Sequence, residues 1–365
     1  MKRFPYAPSM TVLLIIALAG TSWGATLAVG PGETYATIQA AVDAASPGDV
    51  ITVRGGIYPE HVTIATNGLS LVSSDGPGLA VIEVPIAHTG ISVGADLGAA
   101  IDGFTIVPRG SGRLGIYFDG GSPSSPVSVT NCTLENFGEY GFYASWSYLT
   151  GTNFTFTNNT LRNCSTGIYV YGFNGCTIRI NGNAITDCET GMELEEFDEG
   201  MGTDAEISGN TVTMDSATPS SGYGITICCP ENTTRVSGNT VRGPFEYGLH
   251  ITEVGCCGMT PVILSVEGNM LSGATWGLEF EDLISGIPGE VTVRNNLIKD
   301  NSCGINVNSF AYASDPLTSV EFSANSITGS LEYGFYNWSG ELVNAKGNWW
   351  GDASGPFDDK TLPGT

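Results

Sequence analysis

Basic residues are scarce in this sequence. It contains 13 Lys and Arg residues and 3 His against 37 Asp and Glu residues, which gives a formal net charge of −24 at pH 7. Proteins that bind nucleic acid or anionic membranes rely on positive surface charge to neutralise phosphates. The composition therefore argues against both partners and fits a soluble protein that works outside the cytoplasm.

Long hydrophobic runs are also missing. The apolar run at 10–19 is too short to span a bilayer. It follows Lys2 and Arg3 and precedes small residues at 22–24, which is the pattern of a secretory signal peptide. We assign residues 1–24 to this signal and expect no membrane insertion after its cleavage. The mature protein is then predicted to be extracellular, on the cell surface or periplasmic.

What the sequence has instead is a repeated phrase punctuated by Asn and by many of its 50 Gly. The phrase reads apolar, two small or polar residues, Asn, any residue, apolar, and then Gly-apolar-x-apolar. Val236–Val241 followed by Gly248–Ile251 is one clear copy. Phe104 and Cys132 take the Asn place in two earlier copies. The Asn recurs at intervals of 23 to 30 residues, at Asn159, Asn183, Asn210, Asn239, Asn269, Asn296, Asn325 and Asn348.

A repeat this short cannot bury its own apolar side chains, so it must stack on its neighbours as a solenoid. Alternating apolar residues between turn residues indicate strands. We predict an all-β, single-stranded right-handed parallel β-helix of about ten or more coils, with three short parallel sheets. The Asn side chains are expected to hydrogen-bond from coil to coil, and their backbone to take the left-handed conformation at the bend between strands.

The open end of such a solenoid needs a cover, because the first coil would otherwise expose its core and strand edges. Ala36–Ala45 carries Ile38, Ala41 and Val42 on one side and precedes Ser46-Pro47-Gly48. This pattern predicts a short amphipathic helix. We expect it to cap the N-terminal end.

Two ends of the chain resemble known β-helix proteins. Ile38–Ala45 with Gly48–Val53 and Gly56–Glu60 resembles the start of pectin-lyase-like right-handed β-helix proteins. Gly347–Pro356 resembles a closing motif of bacterial and archaeal surface β-helix proteins, including NosD-like ones. The resemblance implies one β-helix domain over residues 25–357. It leaves 358–365 as a C-terminal tail at which the chain could be cut short.

The resemblance fixes no single activity, because the fold hosts lyases, hydrolases, esterases and adhesins. The sequence lacks the Arg-x-Pro-x-x-Arg segment of pectate lyases, the Asn-Thr-Asp set of polygalacturonases and the Leu-Gly-Arg-Pro-Trp motif of pectin methylesterases. Other lyase families on the fold have weaker signatures. Whether the protein is an enzyme therefore stays open at this point.

In the Gly-apolar-x-apolar strand the apolar residues point inwards, so the intervening residues form rows on the outside. The resemblance places polysaccharide on this sheet. Stacked aromatic rings suit sugar binding, although they also simply stabilise solenoids. The predicted substrate-binding residues are Tyr117, Tyr143, Tyr169, Tyr171, Tyr336 and Trp338.

The same rows carry carboxylates and one imidazole. Glu193 with Glu195 and Glu279 with Glu281 form pairs that could serve glycoside cleavage or bind calcium. The pairs lie three coils apart, roughly 14 Å at the spacing of strands, which is too far for one acid–base pair. His250 is a candidate base, expected to be exposed on this face.

An acidic loop offers a separate candidate for Ca²⁺. Glu195, Glu196, Asp198 and Glu199 lie within five residues of one another and supply the oxygen ligands that calcium takes. The alternative is a solvated acidic surface.

Nine Cys would meet an oxidising compartment after secretion. Cys164 and Cys188 occupy the same place in successive coils, which predicts a disulfide or a stacked pair of buried thiols. Cys228-Cys229 and Cys256-Cys257 follow adjacent coils and could staple two loops. The alternative is a copper site of these four thiols near His250 and Met259, which the NosD-like resemblance also implies.

The favoured function at this point is a secreted or cell-surface β-helix protein that binds extracellular polysaccharide along the exposed groove. The first alternative is a polysaccharide lyase or glycoside hydrolase that uses the same groove with bound Ca²⁺. The second is a NosD-like periplasmic protein that handles copper.

Overall fold

The computed structural model describes residues 24–110, 112–150, 152–195, 202–215, 221–230, 232–254, 262–283, 289–308, 319–339 and 343–353. Residues 1–23 of the expected signal peptide and the tail 358–365 lie outside these ranges, so both assignments stay predictions. The described part of the chain contains no helix that is long and apolar enough to cross a membrane.

Short strands wind into coils, and each coil adds one strand to each of three parallel sheets. Sheet 1 contains Thr26–Val29, Val50–Val53, Leu69–Ser73, Ala99–Asp102, Val127–Thr130, Asn153–Thr157, Thr177–Asn181, Asp204–Ser208, Thr233–Ser237, Val262–Glu267, Gly289–Arg294 and Ser319–Ser323. Sheet 2 contains Gly56–Tyr58, Ala80–Val84, Phe104–Pro108, Thr133–Glu135, Thr160–Arg162, Ala184–Thr186, Thr211–Thr213, Thr240–Arg242, Met270–Ser272, Leu297–Lys299 and Ser326–Thr328. Sheet 3 contains Val62–Ile64, Ile91–Val93, Gly112–Phe118, Phe137–Thr150, Thr166–Asn174, Thr190–Glu195, Tyr223–Cys228, Tyr247–Thr252, Trp276–Glu281, Cys303–Val307 and Tyr333–Asn337.

This architecture confirms the predicted all-β solenoid with three parallel sheets. The core runs through the middle of the coils and is made of the apolar residues that alternate inwards. Ile180, Ile207 and Val236 stack on successive strands of sheet 1 and are fully buried. Aromatic rings also fill the core, as where Phe142 packs against Phe154 and Phe156. Each coil is therefore held by the apolar surface that it shares with the coils on either side.

The predicted column of Asn residues forms a ladder inside the bend between sheets 1 and 2. Asn183 donates from its side chain to the carbonyl of Phe156, in the coil before it, and to Oδ1 of Asn210, in the coil after it. The same pattern recurs from Asn159 to Asn325, and every one of these side chains is buried. Cys132 joins the ladder through its backbone N–H, which donates to Oδ1 of Asn159.

The expectation that the ladder Asn adopts the left-handed backbone is wrong. The residue before it does so, as Gly182 with a φ of 66° and Gly238 with a φ of 62° show. Asn158 and Asn295 take this place in two other coils with φ of 55° and 57°. The preceding residue therefore makes the turn, and the ladder Asn is left free to point its amide inwards.

The predicted N-terminal helix is present as Ile38–Ala44 and buries Ile38, Ala41 and Val42 against the first coils. Thr37 caps it, since its hydroxyl accepts a hydrogen bond from the N–H of Ala40. The carboxylate of Glu60 accepts the N–H groups of Ile38 and Gln39, at 2.9 Å each. One side chain from the next turn of chain thus ties the cap to the β-helix.

Candidate functional site

The outer face of sheet 3, which we call the groove face, carries the predicted rows of side chains in register. The first row runs Tyr117, Tyr143, Tyr169, Glu193, Thr226, His250, Glu279, Asn306 and Tyr336, each paired with the next. In the second row, Tyr171 pairs with Glu195, and Thr252 with Glu281. The pairs Glu193–Glu195 and Glu279–Glu281 are therefore three rungs apart, as the repeat predicted.

A third outward row, missed by the sequence reasoning, precedes the Gly of each strand. It includes Tyr140, Tyr223, Tyr247, Trp276 and Tyr333. Simple alternation would point these rings inwards. The Gly faces inwards instead, because a Cβ on Gly224 would collide with Val241 and with the carbonyl of Gly248. The recurring aromatic-Gly dipeptide was the signal that could have found this row.

Four tyrosines form an aromatic platform near the N-terminal end of the groove face. The rings of Tyr143 and Tyr169 are stacked, with centroids 5.1 Å apart and planes 9° apart. Tyr117 packs on Tyr143 at 5.6 Å, and Tyr140 lies 4.8 Å from Tyr143 and 5.4 Å from Tyr169. All four are half-buried, so the platform keeps ring surface open to solvent.

The first carboxylate pair adjoins this platform. The hydroxyl of Tyr169 donates to Oε2 of Glu195 at 2.8 Å. Burial, together with the negative charge of Glu195 and a hydrogen bond to it, raises the pKa of Glu193. Glu193 is thereby favoured as the proton donor of the pair and Glu195 as the acceptor.

His250 lies in the middle of the groove face, between rings. Tyr223 and Tyr247 stack on its imidazole at centroid distances of 5.3 and 4.6 Å. The expectation that His250 is exposed is wrong, because only 6% of the residue is accessible. Thr226 Oγ1 lies 3.4 Å from Nδ1, and Glu281 Oε2 lies 3.3 Å from Nε2.

Burial lowers the pKa of His250 to about 4 and outweighs the negative charge of Glu246, which acts in the opposite direction. His250 is therefore neutral at pH 7. The neutral ring satisfies both contacts when Nε2 donates to Glu281 and Nδ1 accepts from the hydroxyl of Thr226.

Glu279 is the most deeply buried carboxylate of the groove face, at 3% exposure. Its Oε1 accepts a hydrogen bond of 3.1 Å from the amide of Asn306, on the next rung. Its Oε2 and the Oδ1 of Asn306 are buried without a hydrogen-bond partner. Burial raises the pKa of Glu279 to about 7, so this carboxyl is half-protonated at neutral pH.

A second aromatic group closes the C-terminal end of the groove face. Tyr336 stacks on Tyr333 at 4.7 Å and lies 5.6 Å from Trp338. Trp338 is 67% exposed. The predicted aromatic residues thus fall into two groups at opposite ends of the face, with the carboxylates and His250 between them.

The predicted calcium loop is described only at Glu195. Glu196, Asp198 and Glu199 lie outside the described residues, so the calcium site stays a prediction. Glu195 itself points onto the groove face, where Tyr169 donates to it.

Three side chains at the C-terminal ends of two neighbouring strands in the interior of sheet 3 could hold a metal ion. Cys228 Sγ lies 3.4 Å from Cys229 Sγ, which in turn lies 3.2 Å from Oε2 of Glu253. Ligand atoms of all three fall within 4.8 Å of one another. The hydrogen bond from Cys229 lowers the pKa of the Cys228 thiol, which favours the thiolate that soft metals bind. Cys256, Cys257 and Met259 lie outside the described residues.

Cys164 and Cys188 are buried in neighbouring coils, as predicted. Both are thiols here. A hydrogen bond with Cys188 lowers the pKa of Cys164 and raises that of Cys188, so Cys188 is the donor. The disulfide between them stays a prediction.

A cleft with a volume of about 430 Å³ lies elsewhere, on sheet 1. Its charged residues are Arg179, Asp204, Glu206 and Arg235, so its charge is balanced. It has no aromatic lining among the described residues. We therefore place the candidate site on sheet 3.

Coils, ladder and groove face together define a right-handed parallel β-helix. Residues 89–259 match the family described as a right handed beta helix region. No protein of curated function matches the sequence significantly.

Solved structures with a similar backbone fold include two mannuronan C-5 epimerase A-modules from Azotobacter vinelandii. AlgE4 is 13% identical with a TM-score of 0.49, and 86% of this chain covers 88% of it. AlgE6 is 15% identical with a TM-score of 0.46, and 86% of this chain covers 92% of it. The pectate lyase Pel9A is 14% identical with a TM-score of 0.34, and 86% of this chain covers 78% of it. Likeness at this level concerns the fold and transfers no activity.

Proposed function

We propose that this protein binds extracellular polysaccharide along the groove face, with sugar rings laid on its tyrosines. The observation that carries the proposal is the stacked platform of Tyr143 and Tyr169 with Tyr117 and Tyr140 beside it. Strands of neighbouring coils repeat at about 4.8 Å, close to the length of one sugar ring. A rigid stack of half-buried rings loses little entropy when a sugar docks on it.

The acidic surface and the expected signal peptide at 1–24 support a place outside the cell. The polysaccharide partner would then belong to the cell surface or the surrounding matrix. Sequencing the N-terminus of the exported protein tests the first part of this proposal, and we expect it to begin at or near Ala25.

Titration calorimetry with a panel of oligosaccharides tests the binding. We expect Tyr143→Ala to lower the affinity for the glycan that binds best by about tenfold, because one stacking ring is lost. Trp349→Ala is the matched control, since Trp349 is 49% exposed but pairs with sheet 2. Equal affinity of both variants and the wild type would exclude the platform as the binding surface.

A lyase or glycoside hydrolase on the same groove is the second candidate, because the central groups have the protonation states that acid–base chemistry needs. Glu279 has a pKa of about 7 and His250 is neutral at the same pH. They occupy adjacent rungs of the first row. Incubation with polysaccharides and detection of unsaturated or reducing ends tests this function, and Glu279→Gln should abolish any activity found.

Copper handling is the third candidate and rests on a different cluster. Cys228 and Cys229 offer two soft ligands and Glu253 a third. His250 is turned towards Thr226 and Glu281 and does not share this cluster. Metal analysis of the exported protein tests the proposal; one equivalent of bound copper would support it.

A further inference from the structure

Positive charge is segregated away from the groove face. Among the described Lys and Arg residues, only Arg113 lies on a strand of sheet 3, and its guanidinium makes two hydrogen bonds to Glu139. The others lie on sheets 1 and 2 or in the connecting segments, often paired with a carboxylate, as Arg294 is with Glu267. The one described cation on a strand of sheet 3 is thus already paired with a carboxylate at the start of the strand that carries Tyr117.

Four segments that follow strands of sheet 3 in the sequence and lie outside the described residues carry no positive charge. Residues 196–201, 255–261, 284–288 and 309–318 connect sheet 3 to the next coil, and their sequence contains neither Lys nor Arg. The first of them adds Glu196, Asp198 and Glu199. On the described strands of sheet 3 from Phe137 onwards, a negatively charged ligand would find no Lys or Arg.

Carboxylates line the same face. They are Glu193, Glu195, Glu279 and Glu281 on the strands, with Glu246 and Glu253 at the two ends of the strand Tyr247–Thr252. Their charge reaches across several coils. Burial is the largest cause that raises the pKa of Tyr140, Tyr223 and Tyr247, and the negative charge of nearby carboxylates is the second. The negative potential is thus continuous along the groove.

One place on this face lacks hydrogen-bond donors. Glu279 Oε2 and Asn306 Oδ1 are both buried acceptors without a partner, on adjacent outward positions of the first row. Exposure of the two residues is 3% and 5%. Buried acceptors are nearly always satisfied, so this pair points to a ligand that brings N–H or O–H groups. A proton on Oε2 of Glu279 satisfies this pair only in the protonated half of the population at neutral pH, and the ionised carboxylate leaves both oxygens without a donor.

We propose that the glycan bound here carries protonated amino groups, as a deacetylated glucosamine polymer does, and not uronate or sulfate groups. The inference rests on the proposed glycan-binding function and specifies its ligand. An ammonium group supplies three N–H donors and a positive charge, which match Glu279, Asn306 and Glu281. The faces of Tyr223 and Tyr247 next to them attract cations.

Alginates and pectates, by contrast, bring one carboxylate per sugar. On the described part of sheet 3 such a chain meets like charges and a single Arg, Arg113, which is already paired with Glu139; like charges at short range are unfavourable. Bridging by Ca²⁺ would be the remaining way to bind them. The charge distribution therefore separates this groove from polyuronates, whatever the likeness in fold.

Calorimetry with oligosaccharides of equal length tests the proposal. The ligands are glucosamine oligomers, their N-acetylated forms and galacturonate oligomers, the last with Ca²⁺ and with chelator, each measured at pH values on both sides of 7, because the carboxyl of Glu279 ionises near there. We expect the glucosamine oligomer to bind at least about tenfold more tightly than the acetylated one. The difference should shrink as salt is added.

Two double variants with the same change in charge distinguish binding at the proposed amine site from general electrostatic attraction to an acidic protein. The double variant Glu279→Gln, Glu281→Gln should lose most of the preference for the amine. Glu206→Gln with Glu290→Gln removes the same charge from exposed positions of sheet 1 and should keep it. An equal loss of the preference for the amine in both double variants would overturn the proposed amine site.

The outcomes distinguish the two proposals. Tighter binding of acetylated or galacturonate oligomers, lost in Tyr143→Ala, would overturn the amine inference and leave glycan binding in place. Binding of none of the ligands, with folding confirmed by circular dichroism, would overturn both. Tight galacturonate binding only with Ca²⁺ would also contradict the amine inference.

Discussion

Oδ1 of Asn210 accepts two hydrogen bonds from Asn183, 3.0 Å from its backbone N–H and 2.9 Å from its side-chain amide. The side chain of Asn210 repeats the pattern with Asn239 on the next coil. Each buried amide thus hydrogen-bonds to the coil before it and to the coil after it. The ladder fixes the register of successive coils through polar groups, while the apolar core alone would allow sliding.

Breaking one rung of the ladder should be costly. Asn239→Ala removes the acceptor of the backbone and side-chain N–H groups of Asn210 and the side-chain donor to the carbonyl of Ile207, and it leaves Oδ1 of Asn269 with only the backbone N–H of residue 239. We expect a loss of about 3 kcal/mol in the free energy of unfolding, because buried polar groups are left unsatisfied. Chemical denaturation measures it. Asn181→Ala is the control, since it loses a single partly buried hydrogen bond; an equal loss would contradict the ladder's role.

The residue before the ladder Asn should accept only residues that tolerate a left-handed backbone. Gly238 has a φ of 62°, and an added Cβ meets only the Gly209 N, at 3.9 Å, so space is not limiting. We expect Gly238→Asn to be nearly neutral, because Asn158 and Asn295 occupy this place elsewhere. Gly238→Val should cost about 1–2 kcal/mol. Thermal melting of both variants measures the difference, and equal melting temperatures would refute the conformational argument.

Much of the fold could be predicted from the sequence because the repeat has two independent signals, the spaced Asn and the Gly-apolar-x-apolar strand. Both report on contacts between neighbouring coils. The left-handed turn was placed one residue late, because Asn suits both a turn and a ladder and the sequence does not distinguish these roles. The row of Tyr140, Tyr223 and Tyr247 was missed because alternation was extended through a Gly that faces the core.

The groove chemistry was less accessible from the sequence. Glu279 and His250 were recognised as candidates, but their burial depends on the surrounding coils and could not be inferred from a repeat. Their shifted pKa values follow from that burial. The cluster of Cys228, Cys229 and Glu253 was only half predicted, since Glu253 reaches the thiols from the next coil.

The raised pKa of Glu279 predicts that ionisation of this carboxyl destabilises the folded protein as the pH rises. Its folded pKa is about 7 against an ordinary 4.5, so the native state binds more protons in this window and stability falls as pH rises through it. Glu279→Gln removes this loss. We expect the variant to exceed the wild type by about 2 kcal/mol at pH near 8 and to match it at pH near 5.

His250 provides the matched comparison. Its pKa is lowered to about 4, so the unfolded state binds more protons between 4 and 6.5 and stability falls as pH drops. His250→Gln should therefore reduce the loss of stability at acidic pH and leave the stability at alkaline pH unchanged.

Both predictions are measured by denaturation curves across pH. Curves that show no difference between the wild type and Glu279→Gln would contradict the protonated carboxyl of Glu279.

The thiol cluster predicts metal binding that depends on three specific ligands. Reduced protein should take up one soft cation, such as Cd²⁺, with a thiolate charge-transfer band in the ultraviolet. Cys228→Ser should abolish the band and Glu253→Gln should weaken binding by about tenfold. Cys132→Ser is the control, because burial raises the pKa of Cys132 to about 12 and keeps it a thiol. A band that survives Cys228→Ser would place the metal elsewhere.

The most direct test of the account is a crystal structure of the protein with the oligosaccharide that binds it best. We predict sugar rings on Tyr143 and Tyr169, with the chain continuing over His250 towards Tyr336. An oligosaccharide seated instead in the sheet 1 cleft between Arg179 and Arg235 would contradict the assignment of the groove face.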